Sequence, residues 1–146
     1  MPVKTTMSKV SESPDKNASP GSVSVDLGLK DDPRWLSAEQ LAASAEFRRS
    51  PRLRELLLFI VKHSLLGEDE QLTEFEIARQ VFGRGLNYIP TEDSIVRSSA
   101  RQLRWKLKQA RESPDFQSPW LLEIPKGRYV AHFQLREVEN ERRRAL

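Results

Sequence analysis

The stretch that decides the fold is Ser94–Arg111, which reads SIVRSSARQLRWKLKQAR. It contains no Gly, Pro, Asp or Glu, so we expect one uninterrupted helix that starts near Thr91 or Asp93 and ends before Pro114. With 3.6 residues per turn, the small and apolar side chains gather at about 240° from Arg97 on the helical wheel. These core-facing residues are Val96, Ser99, Ala100, Leu103, Leu107 and Ala110.

The same helix carries a basic stripe beside its apolar side. Five cations lie within about 40° of Arg97 on the helical wheel, and they are Arg97, Arg101, Arg104, Lys108 and Arg111. The stripe lacks the acidic i,i+4 partners that a merely solvated helix face usually carries, and such a solvated face is the alternative interpretation. Because a major groove about 12 Å wide admits one helix, we predict that this helix enters DNA there.

The position of each polar residue along the helix predicts its role on DNA. The residues near the amino end are the candidate base readers, because Arg and Ser can reach base edges: Ser94, Arg97, Ser98 and Arg101. The later cations are better placed for phosphates: Arg104, Lys108 and Arg111. Trp105 flanks the stripe, and packing at the helix edge is as good an interpretation for it as a DNA contact.

A first helix is predicted well upstream of the basic helix. Ser37 followed by Gln40 has the spacing of a capping box, so we expect the helix to start at Ser37 and to end near Arg49. Its expected apolar side carries Leu41, Ala45 and Phe47.

Two further helices are predicted between the first helix and the basic one. The second begins with Ser50 as N-cap and Pro51 at the first helical position, carries apolar residues at helical spacing, and stops at Gly67. The third begins at Thr73, with a glutamate three residues on completing a capping box, and ends at Gly83. Both are expected to bury one face.

A β-hairpin is predicted after the basic helix. Its strands are expected at Trp120–Ile124 and Arg128–Gln134, joined by the turn Pro125–Gly127, with Leu122, Ile124, Tyr129 and Phe133 facing inward. The turn presents the cations Lys126 and Arg128. Helices followed by a basic helix and a hairpin predict a mainly α chain with a C-terminal β-hairpin (α+β), the order of a winged helix-turn-helix.

Composition separates the predicted domain from its ends. The chain has 146 residues and a formal net charge of +3. We expect residues 35–135 to form the winged-helix domain. Residues 1–34 have the composition of a disordered leader, and residues 136–146 that of a charged tail. The chain has no cysteine, no apolar run of membrane-spanning length and no apolar h-region after its start, so we expect a cytoplasmic protein without membrane contact.

No group of residues indicates a catalytic centre. The two histidines, His63 and His132, lie on different predicted elements without a metal or nucleophile motif around either. His63 is explained by the helix dipole or surface exposure, and His132 by a solvent- or DNA-facing strand position. We therefore expect no enzymatic activity, no metal and no cofactor.

Three motifs resemble the OmpR/PhoB-type winged helix-turn-helix. They are LTEFEIARQVFG at Leu72–Gly83, the arginine-rich pattern of Ile95–Leu107, and EIPKGRY at Glu123–Tyr129. FRRSPRL at Phe47–Leu53 is similar to a subgroup of that family without a receiver domain. The resemblance implies a bacterial transcription regulator that binds double-stranded DNA sequence-specifically, with the wing on the adjacent backbone or minor groove.

The resemblance also suggests partners and has limits. In that family, the loop corresponding to residues 83–92 contacts RNA polymerase, whereas an ordinary connector is the alternative here. A homodimer on DNA is left open. Ser94, Ser98 and Ser99 stand where the subgroup more often has Pro, an aliphatic residue and Glu, so its base preference does not carry over. A winged helix that binds an acidic protein partner remains the rival hypothesis.

Overall fold

The computed structural model describes residues 29–136. Residues 29–31 form a turn that belongs to a separate unit, Met1–Asp31, and the second unit is Asp32–Leu146. The predicted leader and tail lie largely outside the described residues and stay predictions. The elements of the second unit are α1 (Pro33–Ala42), α2 (Pro51–Leu65), α3 (Glu74–Gln80), α4 (Ile95–Glu112), β1 (Trp120–Glu123) and β2 (His132–Leu135), with 3-10 turns at Ala45–Phe47 and Asp69–Gln71. This order confirms a mainly α fold with a C-terminal hairpin.

Helix α4 is the element around which the domain packs. It contacts α2, α3, β1 and the Ala45–Phe47 turn. All six residues predicted to face the core are buried, and Val96 and Leu103 are completely so. The helix begins at Ile95, two to four residues after the predicted start, where Asp93 Oδ1 accepts a hydrogen bond from the Ile95 amide at 3.1 Å.

The predicted bounds of the first helix are wrong. Helix α1 begins at Pro33, because the Asp32 side chain caps it by accepting the Arg34 amide at 2.8 Å. The helix ends at Ala42, since Ser44 Oγ donates to the Leu41 carbonyl at 2.6 Å and so takes an acceptor that a longer helix would use. Phe47 is fully buried as predicted, but from a 3-10 turn.

The starts and stops of α2 and α3 follow the predicted signals. Gly67 and Gly83 adopt φ of 71° and 66°, the left-handed conformation in which glycine ends helices at no steric cost. Thr73 Oγ1 accepts the Glu76 amide at 3.1 Å. Ser50 occupies the cap position of α2, yet its side chain makes no capping hydrogen bond.

The hairpin pairs β1 with β2 in antiparallel register, from Trp120 opposite Leu135 to Glu123 opposite His132. Leu122 and Ile124 are buried, whereas Tyr129 and Phe133 are half-buried. The predicted return strand Arg128–Gln134 is wrong at its start, since pairing begins only at His132. The Ala131 amide instead donates to Ser64 Oγ on α2 at 2.9 Å, which anchors the chain to a helix before it enters β2.

A buried hydrogen bond joins the two ends of the fold. Ser37 Oγ on α1 lies 2.6 Å from Ser118 Oγ, which precedes β1, and both residues are buried. Ser37 is therefore a core residue in the second turn of α1 and not the predicted cap. Helix α1 also packs against β1 and α2.

Candidate nucleic-acid interface

The solvent side of α4 presents two cations beside an aromatic ring. Arg101, Trp105 and Lys108 are exposed, and Trp105 keeps 50% of its surface accessible. Within residues 29–136, Arg101 and Lys108 have neither a hydrogen-bond acceptor nor an acidic partner for their side chains. Their charges are therefore available to an external polyanion.

Arg97, by contrast, is held at the amino end of the stripe. Its Nη1 donates to Glu74 Oε2 at 2.7 Å, and its Nη2 donates to the Pro90 carbonyl at 2.8 Å. Glu74 is the first residue of α3, and Pro90 belongs to the loop before α4. The stripe thus acquires from another helix the acidic partner that its own sequence lacks.

The two serines predicted to read bases have different settings. Ser94 is exposed at the cap position of α4 and makes no side-chain capping bond. Ser98 Oγ donates to the Ser94 carbonyl at 2.9 Å, a bond from the side chain to the backbone one helical turn earlier. The Ser98 hydroxyl proton is therefore engaged, while its oxygen can still accept a hydrogen bond.

A polar network fixes the loop before α4 to α3. The Tyr88 hydroxyl lies 3.1 Å from Glu74 Oε2 and 3.0 Å from the Asp93 carbonyl oxygen, so its single proton serves two acceptors. Burial, together with the adjacent Glu74 carboxylate, raises the pKa of Tyr88 to about 12. The Arg84 guanidinium, 2.8 Å from Asp93 Oδ2, lowers the pKa of that carboxyl.

Arg104 reaches from α4 to the turn of the hairpin, residues 124–131 between the two strands, which is called the wing below. Its Nε donates to the Ile124 carbonyl at 2.9 Å, and its Nη2 donates to the carbonyls of Pro125 and Arg128 at 3.0 and 3.2 Å. These acceptors lie on both sides of the turn. Arg104 therefore bridges α4 and the wing, in addition to carrying one of the five stripe charges.

The wing tip carries the two predicted cations. Lys126 and Arg128 are exposed and flank Gly127, whose φ of 82° needs a residue without a Cβ. Among the described residues, neither side chain has an acidic partner. At the far end of α4, Arg111 Nη1 pairs with Glu123 Oε1 at 3.3 Å, so this stripe residue also contacts the hairpin.

The structure therefore divides the predicted site residues into two groups. Those with exposed side chains and no acidic partner in the described part of the chain are Ser94, Arg101, Trp105, Lys108, Lys126 and Arg128. Those engaged within the domain are Arg97, Ser98, Arg104 and Arg111. Sequence reasoning did not include Glu74 and Tyr88 in the site. Glu74 follows a capping threonine, where an acidic residue is sufficiently explained by the helix dipole.

The loop of residues 83–92 exposes apolar surface. Leu86 is 83% exposed and Ile89 47% exposed, whereas Tyr88 between them is buried. The buried tyrosine anchors the loop, and the two aliphatic side chains point outward from it.

The histidines lie on separate elements. His63 is buried on α2 beside Phe59, with Nδ1 2.6 Å from Glu68 Oε1, which removes surface exposure as its explanation. His132 is exposed on β2. Within residues 29–136 no cluster of His, Asp or Glu has the arrangement of a metal site. No helix of the same residues combines the length and apolar character needed to cross a membrane.

Comparison of the chain with protein-family models, curated proteins and solved structures gives no match in any of the three.

Proposed function

We propose that the protein binds double-stranded DNA sequence-specifically as a transcription regulator of the OmpR/PhoB winged-helix type. The observation that carries the proposal is that α4 has a buried apolar side and an exposed basic side. Its apolar side is buried in the core, while Arg101 and Lys108 stand free on the other side. A helix anchored in this way can enter the major groove without giving up its own packing.

The wing supports the same proposal. Lys126 and Arg128 extend the cationic surface beyond α4, and Arg104 fastens the turn that carries them to that helix. In this proposal α4 contacts base edges, and the wing neutralises phosphate or enters the minor groove. The OmpR/PhoB assignment itself rests on the three sequence motifs.

The exposed loop favours a protein partner in addition to DNA. Leu86 and Ile89 are large apolar residues in solvent, beside the end of α4 assigned to base reading. We propose this loop as the contact with RNA polymerase. Replacing both residues by alanine should lower transcriptional activation while leaving DNA affinity unchanged. A loss of DNA affinity instead would assign the loop to the DNA interface.

The deciding experiment is selection of bound sequences from a pool of random duplexes, followed by affinity measurements on the selected and random DNA. Arg101→Ala should weaken binding to the selected site by about 1 to 3 kcal/mol and to random DNA by much less. Arg49→Ala is the matched control, because Arg49 is exposed and follows the Ala45–Phe47 turn. Lys106, on the side of α4 opposite the stripe, donates to the Glu46 carbonyl in that turn. Arg49 therefore lies near the side of α4 that is not proposed to meet DNA.

Two results would contradict the proposal. Equal losses on both DNAs for both Arg97→Ala and Arg101→Ala would remove α4 from base reading. No binding to any duplex at low salt would favour the rival hypothesis, in which the basic face binds an acidic protein.

A further inference from the structure

The side chain of Arg97 is fixed from three directions before any ligand arrives. Glu74 accepts from its Nη1 at 2.7 Å, and the Pro90 carbonyl accepts from its Nη2 at 2.8 Å. Glu74 is in turn held by the Tyr88 hydroxyl at 3.1 Å. The α4 backbone supplies the third constraint, because Arg97 lies in the first turn of that helix.

These bonds leave the guanidinium able to bind more acceptors. A guanidinium has five N–H donors, and the contacts with Glu74 and Pro90 use two of them. Arg97 keeps 46% of its side chain exposed, so the remaining donors have a route to solvent. A guanine edge offers two acceptors, O6 and N7, which a planar guanidinium fits bidentately.

Glu74 also changes the charge at this end of α4. Its carboxylate is 23% exposed and offsets the positive charge of Arg97 where DNA would approach. Attraction to phosphate is the part of DNA binding that carries no sequence information. A neutralised but oriented arginine therefore contributes little to random DNA and retains its hydrogen-bonding geometry for a matching base.

We propose that Glu74 is a positioning residue that holds Arg97 for bidentate contact with one guanine and so sets the base preference at one position of the site. The inference rests on the proposed function. Tyr88 contributes through Glu74 and is expected to have a smaller effect on the same base preference.

The test compares the base-preference profiles of the wild type, Glu74→Gln and Arg97→Ala after selection from random duplexes. Glutamine keeps an oxygen that can accept from Tyr88 but removes the charge that orients Arg97. Glu74→Gln should reduce the preference for guanine at least tenfold at the position that Arg97→Ala also relaxes. Affinity for random DNA should rise about three- to tenfold, with a steeper salt dependence.

Glu76→Gln is the matched control, since Glu76 lies on the same helix but pairs with Arg79 at 2.9 Å. Its preference profile should equal that of the wild type. Tyr88→Phe is the second variant. It keeps the Glu74 charge and should relax the same position weakly, which a change confined to folding stability would not do.

The outcomes separate this inference from the proposed function. If Glu74→Gln and Tyr88→Phe both keep the wild-type preference at the Arg97-dependent position, the role of Glu74 is overturned. If Arg97→Ala changes no base preference while Arg101→Ala does, the inference fails and the proposed function stands. If the wild type selects no sequence, both fail.

Discussion

Arg104 and Arg128 are joined by a hydrogen bond from the guanidinium Nη2 of the first to the carbonyl oxygen of the second, at 3.2 Å. Together with the bonds to Ile124 and Pro125, it ties both sides of the wing turn to α4. The carbonyls that would extend the β-ladder toward the turn thus accept from a helix side chain. Arg104 therefore contributes to the orientation of the wing tip relative to α4.

Arg104→Ala is therefore expected to loosen the wing. The Ala131 amide, which donates to Ser64 Oγ, should exchange hydrogen faster. The free energy of unfolding should fall by about 1 to 3 kcal/mol, because the carbonyls of Ile124, Pro125 and Arg128 lose a charged donor. Hydrogen exchange and denaturant titration measure the two effects.

Arg104→Lys is the informative companion variant. Lysine keeps the charge but cannot span three carbonyls with a planar fork. If the Ala131 amide of Arg104→Lys exchanges hydrogen at the wild-type rate, the hydrogen bonds of Arg104 are not what keeps the wing ordered. On DNA, the losses from Arg104→Ala and Lys126→Ala should be non-additive, since both act through the wing.

Lys126→Ala should weaken binding to selected and random DNA by similar factors. Lys126 is exposed at the turn whose backbone carbonyls accept hydrogen bonds from Arg104. We expect its side chain to contact phosphate and not a base edge. The slope of log affinity against log salt should become shallower by about one unit. A loss restricted to the selected site would assign Lys126 to base recognition.

Leu57→Ala and Leu103→Ala should each lower the free energy of unfolding by about 2 to 5 kcal/mol, because a cavity replaces a packed side chain. Both residues are completely buried. Denaturant titration gives the values, and Leu86→Ala at the exposed loop should stay within about 0.5 kcal/mol of the wild type. Losses below about 1 kcal/mol at both core positions would contradict the packing of α2 and α4.

Alkaline pH should destabilise the domain through Tyr88. Its pKa is raised to about 12 in the folded chain, whereas an unfolded tyrosine ionises near about 10. The folded state therefore holds the proton more tightly, so its stability falls as pH rises from about 10 to about 12. Tyr88→Phe should reduce this fall.

Tyrosinate absorbance provides the direct measurement. The chain has two tyrosines, and the pKa of Tyr129 is also raised by burial. The Tyr88→Phe variant thus isolates the titration of Tyr129. A component ionising near pH 10 in the folded wild type that disappears in the variant would contradict the burial of the Tyr88 hydroxyl.

The phase of α4 could be predicted from the sequence because it depends on one periodicity within one helix. The partners of its cations could not. Glu74 and Arg97 are 23 residues apart, and the acceptors of Arg104 are backbone carbonyls, which carry no residue-type signal. A helical wheel gives the direction of a side chain but not the element that meets it.

The start of α1 shows a different limit. Both Asp32 and Ser37 are residue types that cap helices, and the Asp-Pro pair was the better signal. The tertiary structure decides which of the two caps the helix, because Ser37 is buried against Ser118 and Asp32 occupies the cap position. For the hairpin, alternation located both strands, but the start of β2 depends on Ala131 donating to Ser64.

The bond between Ser37 and Ser118 spans 81 residues, so it closes a very long loop and forms only once the segment before β1 is in place. Removing residues 118–135 would take away the partner of the Ser37 hydroxyl and would uncover the side of α1 that meets β1. The wing is thus part of the cooperative folding unit. Side chains can therefore change at the exposed positions Lys126 and Arg128 of the turn while the frame that closes the domain is kept.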